Sequence, residues 1–125
     1  MTANFKPDLA FGESHEQKIF KILNMDKSTV EVKTEKFESW TRNGNMCIEV
    51  ECYGKPSGIM ATEADYWVHI LADGDKDFVR MSFDTSTIKK LTKKYMKNIR
   101  SGGDGNKSRF VLVPLSELFL KRNVQ

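Results

Sequence analysis

Two stretches of this chain alternate apolar and polar side chains with a period of two. No other feature limits the fold as much, because such a pattern specifies β-strands with one face on a core. Residues 28–37 put Val30 and Val32 on one side and Glu31, Lys33 and Glu35 on the other. Residues 46–53 set Met46, Ile48, Val50 and Cys52 against Cys47, Glu49 and Glu51. Between them, residues 41–45 contain Asn43-Gly44, a strong hairpin signal. The pattern predicts an antiparallel pair with one apolar face and one face of acids and lysine.

The rest of the chain supplies partners for this pair. Residues 1–9 read as an extended arm, and residues 12–23 as a helix on which Glu16, Ile19, Phe20 and Leu23 share a face. Residues 24–27 look like a turn. Thr62 is placed to cap a short helix that gives way to the apolar run 67–71. A strand is expected at 78–83, and a helix from Ser86 or Thr87 to about Asn98. That helix has an apolar stripe of Ile88, Leu91, Tyr95 and Met96 and a polar side rich in lysine. A glycine-bearing loop at 101–108, a strand at 110–115 and a short helix at 116–120 complete the chain. The expected class is α/β or α+β, a single mixed sheet flanked by helices in one domain spanning residues 1–125.

Hydrophobic residues make up 39% and charged residues 30%, which fits a packed core rather than a disordered chain. The formal charge of +3 permits a polyanionic partner without demanding one. Cys47 and Cys52 lie five apart, so on one strand they face opposite ways, and two free thiols in a reducing compartment are expected. No apolar run reaches membrane-spanning length, and residues 1–6 lack the apolar core of a signal peptide. A cytoplasmic protein is expected.

The candidate chemistry begins at Glu31 and Lys33, which project side by side from one strand face. Phosphodiester cleavage needs a divalent metal held by carboxylates and a group that positions water and offsets charge on the phosphorane. Glu31 suits the first task and Lys33 the second. Alone, the pair reads as an ion pair on a solvated sheet. Glu16 adds a carboxylate in line with an apolar stripe, Asp26 another just before the strand, and Glu49 a third from the neighbouring strand if register allows. Carboxylates gathered beside one lysine repel each other without a cation, and Mg²⁺ or Mn²⁺ matches their oxygen ligands.

The helix with Glu16, then Asp26, then Glu31-Val32-Lys33 resembles the PD-(D/E)XK nucleases. The stretches GESHE (12–16), VEVKTE (30–35), Asn43-Gly44-Asn45, Ile48-Glu49, GKPSG (54–58) and TEADYW (62–67) are similar to small phage-type and Holliday-junction-resolvase-like members. The resemblance covers roughly residues 12–71. It implies a restriction-endonuclease-like core and a Mg²⁺-dependent DNA nuclease, with Glu16, Asp26 and Glu31 around the metals and Lys33 assisting the water. The spacing departs from the family, because only residues 27–30 separate Asp26 from Glu31. Asp26 faces away on a straight strand, so either a turn or bulge re-aims it or Glu49 takes its place.

Lys55, Ser57 and Thr62 lie in a loop and cap that could approach the cleft; Lys55 and Ser57, with Lys90 and Lys94 on the lysine-rich helix, are the candidate DNA contacts. A basic helix face is by default solvated. Small size argues for help in gripping DNA, so a homodimer or another partner is considered; no membrane partner is expected. Two other classes stay open: a non-catalytic nucleic-acid-binding protein of the same fold, and a protein-interaction module with a solvated acidic strand.

Overall fold

The computed structural model describes residues 5–24 and 29–120, with the backbone alone for 5–8. Helix α1 (Phe5–Leu23) leads to β1 (Val30–Glu35), α2 (Phe37–Asn43), β2 (Asn45–Cys52) and the short β3 (Lys55–Pro56). Then come β4 (Tyr66–Asp73), β5 (Lys76–Asp84), α3 (Thr85–Lys94), β6 (Ile99–Gly102) and β7 (Ser108–Pro114), the last followed by a 3-10 segment (Leu115–Phe119). The class is α+β, with helices flanking sheets.

The strands divide between two sheets rather than forming the single mixed sheet expected. One is mixed, in the order β1-β4-β5; the other is antiparallel, in the order β3-β2-β7-β6. The expected hairpin between β1 and β2 does not form. Residues 37–43 coil into α2 instead of turning, and Gly44 ends the helix in the left-handed conformation at φ 72°. Asn-Gly serves a helix end as well as a hairpin. The Trp40 indole N–H donates to the Ala72 carbonyl at 3.0 Å, tying α2 to the end of β4.

β1 therefore pairs in parallel with β4, Glu31 beside Trp67 and Lys33 beside His69, while β2 pairs with β7, Met46 beside Val113 and Ile48 beside Val111. The core lies where Met46, Ile48, Val50, Val111 and Val113 meet Ile88 and Leu91 of α3, with Ile59 and Trp67 closing it. On α3, buried Thr92 donates its hydroxyl to the Ile88 carbonyl at 2.8 Å.

The alternation of β1 holds, but its faces are inverted. Val32 is 52% exposed, whereas Glu35 is buried at 8%. The Glu31-Lys33-Glu35 side looks inward along Trp67, His69 and Leu71 of β4.

Four local expectations also change. α1 begins at Phe5, within the stretch read as an arm, because Pro7 falls in the first turn, where its missing N–H costs no helix bond. No helix follows Thr62; a 3-10 turn (Gly58–Met60) precedes it. α3 ends at Lys94, and the final short helix is a 3-10 segment. The turn expected at residues 24–27 lies largely outside the described residues.

Candidate nucleic-acid cleft

β1 presents its polar side to a cleft of about 320 Å³ whose walls come from both sheets. Lys33, Glu35 and Trp67 line one wall and Cys47, Glu49 and Phe110 the other, with Lys36 and Ser39 at the start of α2. The Lys33 ammonium lies 3.2 Å from Glu31 Oε2 and 6.0 Å from the centre of the Trp67 ring. The Thr62 hydroxyl donates to Glu31 Oε1 at 3.1 Å and accepts from the Ala64 N–H at 3.2 Å. Both carboxylate oxygens of Glu31 are thus directed, one by a cation and one by a hydroxyl. Lys33 and Glu31 keep 41% and 35% side-chain exposure, so the pair is open to a ligand.

Below this pair sits a buried polar chain. Trp67 donates its indole N–H to His69 Nδ1 at 3.2 Å. An indole only donates, so His69 must carry its proton on Nε2, which lies 2.6 Å from Glu35 Oε1. The same oxygen accepts the Cys47 backbone N–H at 2.6 Å, and Oε2 accepts the Ser39 hydroxyl at 2.8 Å. Glu35 therefore ties β1 to β4, β2 and α2 at once. The arrangement explains why β1 turns its acidic face inward, since three donors meet a carboxylate that would be costly if unpaired. Cys47 feels this charge: burial first, and the Glu35 carboxylate second, push its thiol up to about 11. Both cysteines are free and half-buried.

Gly58 fixes the far wall. At φ 54° it packs so closely on β2 that a Cβ would collide with the Glu49 carbonyl oxygen and lie 2.9 Å from its carbonyl carbon. That is the structural use of the second glycine of Gly54-Lys55-Pro56-Ser57-Gly58. The first, with Tyr53, makes the tight turn between β2 and β3, both at positive φ (76° and 53°).

The remaining candidates are scattered. Glu49 shares the cleft with Lys33 although its strand belongs to the other sheet. Glu16 stands on α1 beside Gly12, His15, Ile19 and Phe20 and does not line the cleft. Asp26 lies outside the described residues. Among the described residues, no group of three or more His, Cys, Asp or Glu is placed to hold a metal ion. Lys55 is exposed on β3, whereas the Ser57 hydroxyl is buried without a hydrogen-bond partner among the described residues. Lys90 is exposed on α3. Lys94 is committed elsewhere: its ammonium lies 2.8 Å from the carboxylate of Glu117, which is only 1% exposed and also accepts the Tyr95 hydroxyl at 2.6 Å.

Glu35 and His69 were not legible as site residues, and Thr62 was expected to approach the cleft but not to bond Glu31. Their roles arise from pairings across 31 to 34 positions of chain, which leave no local pattern. No helix among the described residues is long and apolar enough to cross a membrane. No known protein family, curated protein or solved structure matches the chain.

Proposed function

We propose that this chain is a Mg²⁺- or Mn²⁺-dependent nuclease that hydrolyses DNA phosphodiesters in the cleft between the two sheets, as the PD-(D/E)XK resemblance implies. The observation that carries the reading is the Glu31–Lys33 pair, 3.2 Å apart, whose lysine lines a cleft that Glu49 also lines from the other sheet. The donors fit a hard cation in kind, since Mg²⁺ is commonly held by one or two carboxylates together with substrate phosphate and water. Glu31 and Glu49 would hold it, with Asp26 as a further candidate. When bound, the metal supplies an activated water and offsets charge on the phosphoryl group.

The chain's own residues do the positioning. Thr62 fixes one oxygen of Glu31 and leaves the other toward Lys33. The Lys33 ammonium, carried on a strand rather than a loop, neutralises charge developing on the phosphorane. Glu16 has no part in this arrangement.

A non-catalytic nucleic-acid-binding protein is the second reading. It is favoured by the same Glu31, already engaged by Lys33 and Thr62. Cleavage of linear, circular, nicked and branched DNAs with Mg²⁺, Mn²⁺ or EDTA separates the two. Lys33→Ala should abolish metal-dependent cleavage with fold and DNA affinity retained. Undiminished turnover in that variant removes Lys33 from the mechanism, and binding without cleavage in every condition favours the second reading.

A further inference from the structure

The cleft at Lys33 does not end at Lys36. It runs into a second groove of about 390 Å³ that shares Lys36, Ser39 and Cys47 with it and continues between α2 and the outer face of the second sheet. The floor follows the register of that sheet. Glu49 lies beside Phe110, and Phe110 beside Arg100, so Arg100 stands two strands from Glu49, about 10 Å at the usual strand spacing. Arg42 of α2 lines the groove as well.

The groove is lined mainly by basic groups. Lys36, Arg42 and Arg100 line it against one acid, Glu38. None of the three basic groups forms an ion pair with another described residue, whereas Lys33, Arg80 and Lys94 each do. Arg100 donates once from Nη1 to the Ile99 carbonyl at 2.9 Å, which leaves most of its donor fork available. Cys47 adds no negative charge near neutrality, because its thiol is held protonated. Two guanidiniums and an ammonium without counter-ions suit phosphate oxygens, which arginine grips through paired N–H donors. The apolar floor strip of Phe110 and Leu112 is suited to sugar and base faces.

We infer that Lys36, Arg42 and Arg100 form a track for the phosphodiester backbone of a nucleic acid, carrying the strand away from the Glu31–Lys33 cleft. The inference rests on the nucleic-acid reading of that cleft and names a path different from the α3 lysines. Lys94 is tied to buried Glu117, which removes half of the pair expected to grip DNA on α3.

The test is equilibrium binding of the full chain to fluorescein-labelled single- and double-stranded DNA in EDTA, where cleavage is silent, between 50 and 200 mM salt. Arg42→Gln/Arg100→Gln should lower affinity more than tenfold at the lowest salt and reduce the slope of log K against log salt by about 0.7–0.9 for each phosphate no longer neutralised. Lys36→Glu should weaken binding in the same direction, and Lys76→Gln, on β5 and lining neither groove, should leave it unchanged. Both arginines are exposed, so the variants should fold, as circular dichroism and thermal melts would show. An unchanged slope in the double variant, with wild-type binding intact, overturns the track and leaves the nuclease reading standing. No binding of any nucleic acid by the wild type overturns both. Inorganic phosphate or pyrophosphate binding as tightly as the oligonucleotide, and displacing it, marks a small-anion site and overturns the track.

Discussion

Replacing Glu35 tests the most interconnected side chain in the cleft. Glu35→Ala strands three donors: the His69 Nε2–H, the Cys47 amide and the Ser39 hydroxyl. Ser39 is exposed and can turn to water at little cost. His69 is 1% exposed and the Cys47 amide is part-buried, so each is left unsatisfied at about 1–3 kcal/mol. The void adds roughly 1 kcal/mol for the missing methylene and its packing. Relief of a buried charge, and entry of a water, offset part of this. The net loss should be about 3–5 kcal/mol, a third or more of what a domain of this size commonly has, and a fall in Tm of very roughly 12–20 °C.

Glu35→Gln behaves differently. Its carbonyl oxygen can replace Oε1 for both His69 and Cys47, while its amide donates to Ser39 Oγ, so every partner is kept and the loss should stay within about 1 kcal/mol. Urea unfolding followed by tryptophan fluorescence measures both variants, and Trp67 sits inside the network. Stability of Glu35→Ala within about 1 kcal/mol of wild type would refute the hydrogen-bond account. An equal loss in both variants would show that the charge, not the pattern of donors and acceptors, holds the strands together.

Two other substitutions and one titration probe the cleft walls. Gly58→Ala combines a positive φ with a collision against the Glu49 backbone and should cost about 3 kcal/mol. Gly54→Ala, also at positive φ but with open space around it, should cost about 1–2 kcal/mol, and thermal melts of the pair separate collision from backbone strain. Alkylation of Cys47 by iodoacetamide in a Cys52→Ser background should rise with pH through about 11 rather than 9.0, and Glu35→Gln should lower that inflection. Because the folded thiol titrates above its unfolded value, its contribution to stability is complete below about pH 9 and lost as pH rises toward 11.

Elements with one dry face were readable in the sequence. β2, β7 and α3 bury Met46, Ile48, Val111, Val113, Ile88 and Leu91 in step with their periods, and their positions follow from that. β1 has the same period with the opposite orientation, because His69 and the Cys47 amide satisfy Glu35 from elsewhere in the chain. α2 was hidden because Asn43-Gly44 is good chemistry for two different structures, and the choice falls to Trp40 reaching Ala72. Glu31 and Lys33 could be paired from their spacing alone, since two positions on a strand always share a face. Lys36, Arg42 and Arg100 come from the end of β1, from α2 and from β6, so no spacing rule could gather them.

Parallel pairing of β1 with β4 governs when the cleft can come into existence. Parallel neighbours cannot be joined by a tight turn, and here the connection passes through α2, β2 and β3 before the chain returns. β2 in turn finds its long partner only in β7, near the end of the described chain. A growing polypeptide that has already exposed Glu31 and Lys33 therefore has neither the strand beside them nor a settled wall opposite. Chain entropy must fall to close these loops before either pairing stabilises anything, which slows assembly. The earliest chemically interesting residues of the chain are among the last to acquire their surroundings.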